Sequence, residues 1–325
     1  MSSLGRFLAQ HGVETNLITL AECIAKTSER VSKIFANTPV SLSGSANVYG
    51  DQQLSVDIVA DESIFEELEN SHLVAFAASE ENPAGKFFHQ QETNAPLLPF
   101  QVYFDPLDGS SIADCNWSIG SIYSVYPSAY SRLQGLTGAQ QVLAAVVVYG
   151  PRTTIIFGVS NPKLVFELTL IKDQWVITCP SFSIANEAKI FSPANLRSAN
   201  DLVGYKRIID DWIAQRLTLR YTGGMVPDVV GMLIKGNGIF ASPVSEKARA
   251  KLRLVFEVAP IALIVTLAGG LALVPSPPTD PPQQTPRSIL DVPIETINDR
   301  IGIICGSTNN VLDCFRSIYQ LPVNV

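Results

Sequence analysis

The residues of this chain that could do chemistry are carboxylates at the ends of apolar runs. Asp105-Pro-Leu-Asp-Gly-Ser-Ser111 sets two carboxylates three residues apart directly after the apolar run 100–104. Pro106 stiffens the turn, and Gly109-Ser110-Ser111 adds unobstructed backbone amides beside hydroxyls. Oxygen ligands suit Mg²⁺, which takes one or two carboxylates and completes its shell with water and phosphate oxygens. A carboxylate turn followed by amide donors therefore fits a metal-bound phosphate; it also fits a plain Asx turn with solvated aspartates.

Three other places repeat the theme. Glu80-Glu81 follow a second apolar run, as a solvated pair on a loop would too. Asp51 and Asp57 bracket residues 52–56, and Asp57 lies inside Leu54-Ser-Val-Asp-Ile-Val59, where a carboxylate needs an ion or hydrogen bonds. Glu257, between Leu254-Val-Phe256 and Val258-Ala-Pro260, is the same kind of misfit. Each is ambiguous alone; together they point to one shared site.

The elements that must position these acids are legible in outline. Leu17, Leu20, Ala21, Ile24, Val31 and Ile34 recur at helical spacing, which predicts a long amphipathic helix. A short helix is expected over 61–70, then a strand over 73–78 ending at Ser79-Glu80-Glu81, and another over 100–104 ending at Asp105. Strands over 119–126, 142–149, 153–159, 164–171 and 175–178 read as a β-meander, with Gly150-Pro151 a turn signal. After about residue 195, helices over 201–215 and 226–234 alternate with strands over 217–221 and 238–242. A helix over 247–268, a strand over 301–305 and a helix from 309 follow, an α/β pattern. Two lobes are thus expected, 1–195 and 196–325. Residues 258–275 carry no charge, but Pro260, Thr266 and Gly269-Gly270 break the run, favouring a buried helix and short strand over a membrane span. The Pro-rich stretch 275–286 reads as an exposed loop.

Composition excludes other classes. With 23 Lys+Arg against 30 Asp+Glu the net charge is −7, which argues against a general nucleic-acid binder. Apolar residues reach 46% and charged ones 16%, the balance of a globular chain with a large core rather than a disordered one. Five scattered cysteines without C-x-x-C, and three histidines without H-x-H or H-E-x-x-H, oppose a disulfide framework and an imidazole zinc site. No basic segment leads into an apolar stretch at the N-terminus, so the expected compartment is the cytosol.

Taken together, D-P-L-D-G-S-S at 105–111, S-E-E at 79–81, Gly50-Asp51 ahead of Asp57, and K-L-R-L-V-F-E at 251–257 resemble the sugar bisphosphatases. This is the Mg²⁺-dependent family that includes fructose-1,6-bisphosphatase, and recognisable segments run from about Gly44 to Ile303. Within it, Tyr149-Gly-Pro-Arg-Thr-Thr154, Phe191-Ser-Pro-Ala-Asn-Leu-Arg197, residues 219–229 and Phe256-Glu-Val-Ala-Pro260 are more similar to the sedoheptulose-1,7-bisphosphatase branch. Ser242 stands where fructose-type members carry a substrate-side tyrosine. The resemblance implies an α/β (α+β) fold, a layered αβαβα sandwich in two lobes. The first lobe would carry the metal-binding carboxylates and the second the sugar and distal-phosphate site.

It also implies roles. Glu80, Asp105, Asp108 and Glu257 would be metal ligands, with the Leu107 carbonyl a further one and Asp51 near a third ion; two or three Mg²⁺, replaceable by Mn²⁺, would be held. Asp57 and Glu81 match the pair that orients and deprotonates the attacking water. Gly109, Ser110 and Ser111 would hold the reacting 1-phosphate, Asn195, Tyr221 and Lys251 the distal phosphate, and Gly223 and Met225 the sugar. Arg220 would reach across a homodimer interface. By residue type alone, Tyr221 and Met225 also suit a core, and Arg220 and Lys251 a solvated surface. The implied reaction is hydrolysis of the 1-phosphate of sedoheptulose 1,7-bisphosphate. Its rivals are the fructose substrate, acceptance of both sugars, or an inactive sugar-phosphate-binding regulator. No nucleic-acid or membrane partner is expected.

Overall fold

The computed structural model describes residues 2–38, 42–46, 52–88, 98–130, 133–275 and 285–319, with backbone alone at 42–46 and 52–54. Asp51 and most of the Pro-rich stretch lie outside the described residues. Helices α1 (Ser3–Gln10) and α2 (Thr15–Asn37) come first, then a ribbon of β1 (Leu42–Ala46) and β2 (Gln52–Leu54) that leads into α3 (Ser55–Asn70). α2 follows its apolar spacing, burying Leu17, Leu20, Ala21, Ile24 and Val31, and Glu14 caps its start by accepting from the Asn16 and Leu17 amides. α3 starts at Ser55 rather than at 61, which puts Asp57 in its first turn, where a carboxylate complements the helix dipole.

β3 (Val74–Ser79), β4 (Lys86–Phe87), β5 (Phe100–Asp108), β6 (Ile119–Pro127), β7 (Leu143–Tyr149), β8 (Thr153–Val159), β9 (Leu164–Ile171) and β10 (Gln174–Cys179) form one sheet, ordered β10-β9-β8-β7-β6-β5-β3-β4. The run from β6 to β10 is the expected antiparallel meander, and β5 extends it by pairing antiparallel with β6. β3 instead pairs parallel with β5, Ser79 opposite Phe104, so the carboxyl ends of these two strands lie side by side. A short turn of helix, α4 (Ser110–Ala113), follows β5.

The second sheet contains β11 (Ile190–Pro193), β12 (Thr218–Leu219), β13 (Ile239–Ser242), β14 (Leu271–Leu273) and β15 (Ile303–Gly306), ordered β12-β11-β13-β15-β14. Its helices are α5 (Val203–Ala214), α6 (Met225–Lys235), α7 (Ala259–Leu267) and α8 (Thr308–Tyr319). Helices α1, α2 and α3 cover one face of the large sheet, packing Leu20, Ile24 and Phe65 with Phe104, Tyr123 and Phe157 in one core. α6 and α7 fill the space between the sheets, and α5 and α8 cover the outer face of the small one. The stack is αβαβα, as expected.

α7 accounts for the uncharged run at 258–275. Both sheets flank it and every residue from Ala259 to Val265 is buried, so no polar face is needed. Among the described residues no helix is long and apolar enough to cross a membrane. Two local expectations change. Residues 247–253 are not helical, because 252–254 pair in extended form with 299–301: the Leu254 amide donates to the Asp299 carbonyl (2.7 Å) and the Ile301 amide to the Leu252 carbonyl (2.9 Å). A π-turn over Leu254–Val258 then leads into α7. β5 also runs on through Asp108, because β6 keeps pairing beside it, Asp105 opposite Ile122 and Asp108 opposite Gly120.

Candidate active site

The acids gather where β3 and β5 end. Glu80 leaves β3 with its amide donating to the Phe104 carbonyl at 3.0 Å, which holds it against β5. Asp105 and Asp108 are buried on the continued β5, and Asp105 Oδ1 accepts from the Leu107 amide at 2.9 Å. Glu257 arrives on the π-turn, its Oε2 accepting from the Arg253 amide at 2.5 Å. One carboxylate oxygen from each of Glu80, Asp105 and Glu257 lies within 4.8 Å of the others. Ligands on opposite sides of a single Mg²⁺ are roughly 4 Å apart, so this hard-oxygen set fits a shared divalent ion.

Electrostatics says the same. Asp105 is held well above the carboxylate range, by burial first and then by Glu257 and Asp108. Burial pushes Glu257 up to about 8, against the opposing hydrogen bond from the Arg253 amide. Asp108 is pushed up to about 6 by burial, opposed by the amides of Val226 and Met225. Carboxylates crowded out of water are stabilised by positive charge. Arg253 supplies some: it is 1% exposed and its guanidinium ion-pairs with Glu80.

The small sheet's layer meets this cluster through Asp108, whose Oδ2 accepts from the Val226 amide at 2.7 Å at the start of α6. Gly109 adopts φ 89°, and a side chain there would sit 3.5 Å from the Gly224 Cα, so the turn into α4 runs against the same helix start. Asp228, buried, accepts from the Thr222 amide at 2.8 Å and shapes the approach to α6. Burial pushes it up to about 6. A cavity of about 420 Å³ opens here. Of the residues singled out from sequence, Asp108, Ser111, Asn195, Tyr221, Gly223, Met225 and Lys251 line it. Gly109 and Ser110 adjoin it in sequence, and Leu107 is buried.

Asp57 is buried on α3, and α3 packs on β3 and β5. One helical turn on, Asp61 accepts from the Ser79 hydroxyl and feels the charge of Glu81; burial pushes it up to about 7. Ser79 Oγ accepts from the Asn82 amide at 2.8 Å, so the turn carrying Glu80 and Glu81 is tied to the helix carrying Asp57.

Two residues behave differently. Arg220 is exposed, donates to the Leu219 carbonyl at 3.0 Å and does not line the cavity. Asn195 spends both side-chain N–H groups on backbone, donating to the carbonyls of Pro243 (2.6 Å) and Ala248 (3.1 Å). Sequence reasoning passed over Arg253, although a charge inside Leu252-Arg-Leu-Val-Phe256 gives the same signal that exposed Glu257. Asp61 carried a weaker signal, a second acid one turn after Asp57. Asp228, Arg197 and Arg249 also border the cavity, and the two arginines look locally like any surface arginine.

A layered αβαβα stack with buried acids gathered at the carboxyl ends of adjacent strands offers a site that could hold a divalent ion, and comparison with known proteins shows which class it belongs to. The fructose-1-6-bisphosphatase N-terminal domain profile matches residues 6–180 and the C-terminal domain profile residues 184–319. Chloroplastic sedoheptulose-1,7-bisphosphatase of Spinacia oleracea is 37% identical over 98% of this chain and 78% of its own. Class 1 fructose-1,6-bisphosphatase of Syntrophotalea carbinolica is 31% identical over 95% of this chain and 91% of its own. A crystal structure from Toxoplasma gondii, provisionally described as a sedoheptulose-1,7 bisphosphatase, superposes with a TM-score of 0.87 at 35% identity, covering 99% of this chain and 100% of that one. The chain belongs to the fructose-1,6-bisphosphatase family and is a phosphoric monoester hydrolase.

Proposed function

We propose that the protein hydrolyses the 1-phosphate of sedoheptulose 1,7-bisphosphate to sedoheptulose 7-phosphate and phosphate. The observation that carries the reading is the convergence of Glu80, Asp105 and Glu257 within 4.8 Å, close by Asp108 and a cavity that Asp108 shares with Tyr221 and Lys251. The choice of sugar draws on the 37% identity to the spinach enzyme and on Ser242. Glu80, Asp105, Asp108 and Glu257, with the Leu107 carbonyl, would hold Mg²⁺ or Mn²⁺, with Asp51 serving a third ion. Such ions, when bound, neutralise phosphate charge and acidify a water.

The chain's own residues do the rest. Asp57 and Glu81 orient the attacking water and take its proton. Gly109, Ser110 and Ser111 hold the reacting phosphate for in-line attack. Tyr221 and Lys251 receive the distal phosphate, with Asn195 in the same subsite, and Gly223 and Met225 bound the sugar. Arg220, outside its own chain's cavity, acts across a homodimer interface. The lobes 1–195 and 196–325 divide the work into metal chemistry and sugar recognition, in the cytosol.

The test is phosphate release from purified protein with Mg²⁺, offered sedoheptulose 1,7-bisphosphate and fructose 1,6-bisphosphate in parallel, with and without EDTA. A higher kcat/KM for the heptulose substrate, abolished by EDTA, is expected. A preference for the fructose substrate overturns the choice of sugar, and no release from either leaves the inactive-regulator reading.

A further inference from the structure

We infer that Arg197 and Arg249, together with Lys251, are the cations that take the distal phosphate, and that Asn195 builds this clamp without touching the phosphate. The inference deepens the reading above and rests on it for the identity of the substrate. All three cations line the 420 Å³ cavity that also contains Asp108 and Ser111. They come from separate segments: Arg197 from the single 3-10 turn Leu196–Asn200, Arg249 and Lys251 from the irregular stretch after β13.

Those segments are stapled together. Asn195 opens the 3-10 turn in the left-handed region at φ 45° and donates to the Pro243 and Ala248 carbonyls. At the other end of the same turn, Asp201 accepts from the Ser245 hydroxyl at 2.5 Å. Ser245 in turn accepts from the Ala248 amide at 3.0 Å, closing the stretch on itself. A primary amide has two N–H groups, and both are used here; the oxygen left over is an acceptor, which a phosphate dianion repels. Asn195 therefore fixes where Arg197 and Arg249 stand relative to each other.

Charge points the same way. Among the described residues no carboxylate ion-pairs with Arg197, Arg249 or Lys251, whereas the basic patch on α2 is already matched, Lys26 and Arg30 by Glu67 and Lys33 by Glu29. The acids that share the cavity, Asp108 and Asp228, each accept a backbone amide. Burial first and then Asp228 push the Tyr221 hydroxyl up, and Arg197 stands close enough to oppose that shift. Guanidinium groups offer a planar fork of donors that phosphate oxygens accept in pairs. Ser242 lines the same cavity and fills little of it. With no phenol at that position, Tyr221 is the one tyrosine among the described residues lining the cavity, and the cations carry most of the charge that a phosphate needs.

The test uses full-length protein with Arg197→Met and Arg249→Met combined, which keeps each aliphatic stem, and a second variant with Lys at both positions. Sedoheptulose 7-phosphate is titrated calorimetrically in EDTA, where the sugar and distal-phosphate contacts contribute and the metal-dependent 1-phosphate contacts do not. Steady-state kinetics with sedoheptulose 1,7-bisphosphate and Mg²⁺ follow. Charge-assisted hydrogen bonds at this rim predict binding weaker by at least about tenfold in the Met variant, a matching rise in KM, and kcat within about twofold of wild type, with partial recovery in the Lys variant. Unchanged 7-phosphate affinity in the Met variant, no binding by wild type, or a fall in kcat at constant KM would each overturn the inference. Wild type that binds the 7-phosphate through these arginines but releases phosphate from neither bisphosphate would instead overturn the proposed reaction and leave the clamp standing.

Discussion

Asn195→Ala separates a strut from a ligand. The substitution removes two hydrogen bonds, to Pro243 and Ala248, each contributing about 1 kcal/mol net. It also places alanine at φ 45° and ψ 43°, a conformation that costs an ordinary L-residue about 1 kcal/mol or more. The sum is about 3 kcal/mol. With an unfolding entropy of roughly 2.1 cal/mol/K per residue, a chain of 325 residues loses about 1.5 °C of Tm per kcal/mol. A drop of about 4–5 °C is therefore expected by differential scanning calorimetry, with a KM for the heptulose bisphosphate raised about tenfold because Arg249 and Lys251 lose their anchor. kcat should stay within about twofold, since the acids at the ends of β3 and β5 are untouched. A raised KM with an unchanged Tm would refute the reasoning and return Asn195 to the role of direct phosphate ligand.

Other outcomes follow from the buried acids. Glu257→Gln removes a charge from the cluster with Glu80 and Asp105, so in EDTA the variant should melt a few degrees above wild type at pH 8, while Mg²⁺ should raise the wild-type Tm and leave the variant unmoved. Hydrolysis in that variant should fall at least about a thousandfold, and retained Mg²⁺-dependent turnover would remove Glu257 from the ligand set. Asp61, raised from the ordinary 3.8 to about 7 by burial against the opposing pull of Ser79, stabilises the fold most below pH 4, and that contribution is lost as pH rises through about 7. Asp61→Asn keeps the acceptor for Ser79, so its Tm should exceed wild type at pH 8 by the equivalent of up to about 4 kcal/mol, the gap closing near pH 4. A pH-independent difference would contradict the burial argument.

Much of the molecule was legible before its structure. The meander is written as apolar runs of strand length punctuated by Gly150-Pro151, and each run became a strand with ends shifted by a residue or so. Asp57 and Glu257 were legible because a charge inside an apolar run is expensive, and Asp105 and Asp108 because they sit in a turn after one; all four are buried. The helix expected over 247–268 failed at its first turns because residues 252–254 are recruited by 299–301, a partner that no local window contains. Arg197 and Arg249 were passed over for a similar reason: an arginine acquires meaning only when a cavity forms beside it.

The sequence by itself determined which residues are acidic, which runs are strands, that α7 is apolar on every side, and, through four motifs, the family. It could not determine company. That Glu257 joins Glu80 and Asp105 depends on α7 being buried between two sheets, so that the π-turn ahead of it is carried to the ends of β3 and β5. That Asn195 is a strut depends on the carbonyls of Pro243 and Ala248 reaching its amide before any phosphate does. Local preference is a property of neighbours along the chain, whereas hydrogen-bond donors and buried charges are satisfied by whatever packing places within about 3 Å of them.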